Sequence, residues 1–438
     1  MIGNKCLRGL LCASVCLFVV SCSGDKDIPQ GKRISVLSPS AAVKPDVANG
    51  SSLVQVPSAE VSSEWLQNDY NAQHIIPNLQ VSPAFNKQWS ADFGEGSSKR
   101  EKLISKPLAH GEHIYTLDAD GQLSSFNLKD GEAEWYADMV PENKYAKDNA
   151  LKGAGMVYQN NVLYVAAGYG DVYAVNAKNG EKIWSRQLNF PLRIAPVIAA
   201  GKLFIQSVDN KFFALDIKNG ETVWQYDISM ENTTIVGGAS AAYCPALDVV
   251  VTGFSSGELQ AFNASIGTPL WSDVLVSRRQ ASSSTFLNTV KASPVVEGET
   301  VYALGNGNIL TAVDIRSGMR IWEKEIGGTQ TPLLAGNVLY VVSKDNDLIA
   351  VDKKEGKILW AKSVNMGEKP AGVTVYAPVM FNGRLIISLS DGVVYTYSAK
   401  TGEVLSKTDL DEDINSAPIA AGEYVLFVTD NAKLIAYK

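Results

Sequence analysis

The chain has 438 residues, 46% of them hydrophobic and 9% aromatic, enough apolar material for a large core and, with its many Val, Ile and Tyr, biased toward strands. Its formal net charge of -7 and the lack of a long basic run exclude a nucleic-acid protein, since phosphate binding needs clustered Lys and Arg.

The N-terminus carries Lys5 and Arg8, an apolar run from Leu10 to Val20, and then Ser21 and Cys22. A basic start, a short apolar stretch and a small residue before the cut describe a secretory signal over residues 1–21, too short for a spanning helix. The segment FVVSC resembles the lipobox of bacterial lipoproteins, which assigns lipidation to Cys22. Ser23 follows where many inner-membrane lipoproteins carry a retention Asp, so the expected location is the outer membrane, on its periplasmic face. After cleavage only Cys22 and Cys244 remain, and an acylated Cys22 leaves no intramolecular disulfide. Cys244 reads as a small buried residue.

Residues 22–83 are rich in Ser, Pro, Val, Ala and Asn without a sustained period, and read as a periplasmic tether. As a flexible coil about sixty residues span roughly 45 Å. Within it, residues 64–80 hold Trp65 and His74 and are expected to lie along the folded domain, in a packing role, with Trp65 mattering much less than Trp89.

From residue 84 to 438 the chain is repetitive. Residues 332–360 alternate apolar and polar positions and break at Ala335-Gly336, at 345–347 and at Glu355-Gly356, which predicts four short strands joined by tight turns. The landmarks are Pro332, Asp352, Gly356 and Trp360. The same spacing recurs as Pro107, Asn127, Gly131, Trp135, as Pro196, Asp216, Gly220, Trp224, and as Pro294, Asp314, Gly318, Trp322. Two copies lack the leading Pro and end in Trp184 and Trp271; a seventh has Pro378, Ser398 and Gly402 but Ser406 in place of Trp. The Asx side chain accepts turn amides, the Gly takes a left-handed conformation, and the Trp offers a flat surface to the neighbouring sheet.

The last copy opens at Pro418 and stops at Lys438 without its final strand, while residues 85–89 end in Trp89 with no blade before it. Joining them predicts an all-β, eight-bladed β-propeller of four-stranded antiparallel blades, closed by pairing an N-terminal strand with the C-terminal blade.

These repeats resemble those of quinoprotein dehydrogenases and of the BamB family of outer-membrane assembly lipoproteins, and the lipobox, the N-terminal extension and the single propeller favour the latter over residues 60–438. The resemblance implies a non-enzymatic scaffold without cofactor in the complex that inserts outer-membrane β-barrels. Its partners would be a BamA-like barrel subunit and unfolded outer-membrane proteins, with the membrane met only through the lipid. The family's partner-contacting loops correspond to 230–241 and 275–293. A Leu-x-Leu-Arg element of relatives appears as Thr234, Ile235, Val236, Gly237, an acidic pair appears as Thr289 and Lys291, and Arg278 and Arg279 are the charges on offer. Two alternatives stand. A quinone-dependent dehydrogenase would need oxygen ligands for Ca²⁺, a base and often an adjacent Cys pair, and this chain has no Cys-Cys. A periplasmic peptide-binding scaffold outside the assembly complex is the other. The turn aspartates and the pair His110 and His113 read as turn residues, with no metal expected.

Overall fold

A computed structural model describes residues 43–98, 102–140, 153–228, 238–277, 288–366 and 372–438. These form eight antiparallel sheets in a ring, the eight-bladed propeller, with one short 3-10 turn at Gly50–Leu53 as the described helical structure. Blade 1 runs through Leu108–His110, His113–Leu117, Gln122–Asn127 and Ala133–Asp138. Blade 6, the most regular repeat in the sequence, runs through Leu333–Ala335, Val338–Val342, Asp347–Asp352 and Ile358–Ser363. Blades 2, 3, 4, 5 and 7 begin at Gly153, Val197, Ala242, Val295 and Val379.

Burial follows radius. The short first strands are largely buried, Leu333–Ala335 along its whole length, whereas fourth strands such as Ala133–Asp138 expose alternate residues. A ring of this kind leaves each sheet's inner edge at the axis and its outer edge at the rim.

The ring closes as expected. Lys87–Asp92 pairs antiparallel with Lys433–Tyr437, Trp89 opposite Ala436, to complete blade 8.

The division at residue 83 needs correction. Residues 43–83, expected as tether, form a strap that starts on the fourth strand of blade 6 and then crosses the ends of the first strands, touching blade after blade. Asp46 N donates to Ile358 O of blade 6, and Asn337 of that blade donates to Leu53 O. Glu64–Trp65 adds a strand to blade 1, Tyr158 N of blade 2 donates to Leu66 O, and the Gln67 side chain brackets Ile198 of blade 3. Blades 4 and 5 meet Ala72 and Gln73, blade 7 meets Leu79, and blade 8 meets Ser82. Trp65 is 1% exposed and edge-on to Tyr70 at 5.3 Å. The physical reason is that inner edges carry unpaired backbone groups near the axis, and an irregular segment satisfies them one bond at a time.

Candidate functional site

Seven of the eight blades are fastened to the next by the same device. The Asx at the end of the third strand takes turn amides on its side chain, as Asn127 Oδ1 takes Lys129 N at 2.9 Å, while Gly131 N donates to Asn127 O. Gly131 sits at φ +74, and the ring of Trp89 from the preceding blade lies where its Cβ would be. The indole N–H of Trp89 then donates to Leu128 O, one residue past the Asx, at 3.1 Å. Trp135, Trp184, Trp224, Trp271 and Trp322 repeat this bond to Ala177, Ile217, Ala264, Ile315 and Lys353. Trp360 packs on Gly402 in the same way, yet its Nε1 is buried without a partner, because the expected acceptor, Ala399 O, takes the Tyr340 hydroxyl at 3.0 Å. The seven tryptophans are therefore inter-blade fasteners.

The described residues that lead into the first strands surround an axial cavity of about 330 Å³. Its floor is the strap: Asp69 is buried there, held by Lys106 Nζ at 2.7 Å and Thr331 Oγ1 at 3.3 Å. Burial alone would raise the Asp69 carboxyl, but Lys106 beside it holds it well below the usual carboxylate range. Beneath this pair His74 is buried, its Nδ1–H donating to Pro294 O at 2.7 Å, and burial pushes its pKa down.

Two further cations line the cavity. Arg193 and Lys291 have no hydrogen-bond or ion-pair partner among the described residues, and burial lowers the pKa of both. Each stands three residues before a landmark proline, Pro196 and Pro294, the same register that brings Thr329 and Asn415 to the cavity. With Asp69 already neutralised by Lys106, the lining carries a positive excess within a chain of net charge -7.

Of the expected partner-contact residues, Thr234, Ile235, Val236, Gly237, Arg278 and Arg279 lie outside the described residues. Thr289 is 2% exposed and its hydroxyl donates to Ser255 O, in the turn between the second and third strands of blade 4. Lys291 points instead to the axis. The described ends of the two loops are tied together, Ser240 N donating to Ser293 Oγ at 3.2 Å and Ser293 N to Thr331 Oγ1. Sequence reasoning missed Arg193 and Lys106; Arg193 shares with Lys291 the position three residues before a landmark proline, which is the signal that identifies it, whereas Lys106 directly precedes Pro107. Among the described residues no group of three or more His, Cys, Asp and Glu side chains is placed to hold a metal ion, and no helix is long and apolar enough to cross a membrane.

A profile of the family described as outer membrane protein assembly factor BamB matches residues 146–362 and 363–438, about two thirds of the chain. The Yersinia pestis protein of that name is 24% identical over 385 residues, covering 85% of this chain and 93% of its own length. The Escherichia coli (strain K12) protein of that name is 23% identical over 371 residues, 80% of this chain and 90% of its own. The solved structure of BamB from Moraxella catarrhalis superposes with a TM-score of 0.65 at 18% identity, over 81% of this chain and 97% of that one. Quinohemoprotein alcohol dehydrogenase from Comamonas testosteroni gives 0.68 at 12% identity, over 86% and 81%. At such identities the structural likenesses speak for the fold.

Proposed function

Because the chain belongs to the family of outer membrane protein assembly factor BamB, we propose that it is a non-enzymatic scaffold in outer-membrane β-barrel assembly, held at the periplasmic face of the outer membrane by lipid on Cys22. Its partner is the barrel subunit of that machinery, bound on the face where the inter-blade connections converge. The observation that carries this reading is the pair Arg193 and Lys291, half-buried at the axis with no counter-ion among the described residues. An isolated cation in such a place costs stability, and a partner's carboxylate would offset that cost. The opposite ends of the first strands are occupied by the strap.

The test is affinity capture of the full-length chain from detergent-solubilised membranes of its own cells, with mass spectrometry. Recovery of the barrel subunit is expected, and its absence while other envelope proteins are enriched would sink the reading. Fatty-acid labelling of wild type and Cys22→Ala tests the anchor separately: label should disappear from the mutant.

A further inference from the structure

Seven indoles fasten eight blades, so one interface lacks its fastener, and it is the interface between blades 7 and 8. Blade 7 has Ser406 opposite Thr396, where blade 6 has Trp360 opposite Ala350. Its second strand has Ile386 where blade 6 has Tyr340, each the third residue of its strand.

The facing side is altered as well. In blade 8 the turn that would carry the docking Gly is replaced by the seam of the ring: Lys438 N donates to Asn86 O at 2.9 Å, as Asn127 N donates to Glu132 O in blade 1. By that register Phe85 stands where Gly131 stands in blade 1. Its ring stacks on Tyr437 at 4.5 Å.

What remains is a cavity of about 730 Å³. Ile386, Val394, Thr396 and Ser406 form one wall, Phe85 and Val425 the other, and the strap borders it. Positions equivalent to Ile386 and Thr396 are buried in blade 6, as Tyr340 and Ala350, whereas here both are half-buried. Solvent thus reaches a surface that the repeat elsewhere seals with its own tryptophan.

We propose that this seam cavity receives an aromatic side chain carried on an extended segment of another polypeptide. Three observations select that occupant. The repeat fills the equivalent place with an indole at the seven other interfaces. The walls pair apolar Ile386, Val394, Val425 and Phe85 with hydroxyls of Thr396 and Ser406, which suits a ring with a polar edge. The fourth strand of blade 7, Val404–Asp409, is the outermost in its sheet, so an extended segment added to that edge would place alternate side chains over the cavity. The chain's own residues 23–42 contain no aromatic residue and cannot supply the ring. This proposal does not depend on the assembly reading.

The test uses the purified full chain in detergent micelles and an acetylated, amidated peptide Thr-Val-Trp-Val-Thr carrying 5-fluorotryptophan, followed by fluorine NMR. A saturable shift is expected, weakened at least about tenfold by Ser406→Phe and retained in Ser406→Ala. Ile386→Tyr, which installs the residue of blade 6, is the second filling variant and should weaken binding likewise should Ser406→Phe fail to fold. No saturable shift, equal binding by the filled variants, or equal competition by the Thr-Val-Ala-Val-Thr peptide would overturn the proposal. Self-association of the chain that Ser406→Phe abolishes, without peptide binding, would overturn it in favour of a second copy.

Discussion

Trp89 lies over Gly131 and donates its indole N–H to Leu128 O at 3.1 Å, so a residue that completes blade 8 is also bolted to blade 1. The strand Lys87–Asp92 therefore both completes blade 8 and fastens it to blade 1. Gly131→Ala should cost about 2–4 kcal/mol, combining left-handed strain with overlap of the indole. Gly111→Ala, at φ +63 with nothing within 4 Å of a Cβ, should cost only the backbone part, about 1–2 kcal/mol. In the double variant Trp89→Ala/Gly131→Ala the losses should fall short of additive, read from urea midpoints.

Trp65→Ala should cost about 3–5 kcal/mol, at least as much as Trp89→Ala. Trp65 is fully buried between strap and blade 1, while Trp89 keeps one side toward the rim. This reverses the order expected when Trp65 is placed in a flexible tether. A melting shift for Trp65→Ala well below that of Trp89→Ala would show that the strap detaches readily.

The repeat was legible because its four landmarks each have a local cause: a turn amide to bind, a left-handed position, a ring to dock. The same spacing located the seam, since Trp89 lacked a blade and the last blade lacked a Trp. The strap was legible only over residues 64–80, where Trp65 and His74 marked a packed segment. Its bonds to the eight blades are few, long-range and without period, so residues 43–83 show the composition of a linker although they are a packed element. The juxtaposition of the axial cations was hidden for a related reason: Arg193 and Lys291 are 98 positions apart in sequence and line one cavity only through the ring's curvature.

Tyr340→Phe should be close to neutral, within about 0.5 kcal/mol, although losing a buried hydrogen bond usually costs about 1 kcal/mol. The variant frees Ala399 O for the indole N–H of Trp360, which otherwise has no partner. The Trp360 indole proton resonance should move downfield in the variant. A loss above about 1.5 kcal/mol with an unmoved resonance would show that the indole does not take the carbonyl.

Acid should weaken the fold in two stages. His74 has a native pKa below its ordinary 6.5, so the unfolded chain binds a proton that the native one does not. Stability is then full above about 6.5 and falls as pH drops through the interval down to the lowered native value. Asp69 is also depressed, so its contribution is present above its ordinary 3.8 and is lost as pH falls further. His74→Gln should abolish the first decline and keep the second, measured as urea midpoints between about pH 8 and about pH 3. An unchanged first decline would assign it to another group.

The central claim is that the cationic axial mouth is a partner site, kept at some cost to the fold. It is tested most directly by isothermal titration of the barrel subunit's periplasmic region into the full chain and into Arg193→Gln/Lys291→Gln. The account predicts that the double variant melts at the same temperature or higher, since two desolvated charges are gone, while its binding weakens at least about tenfold and loses salt dependence. Equal affinity of the two proteins at every salt concentration would contradict it.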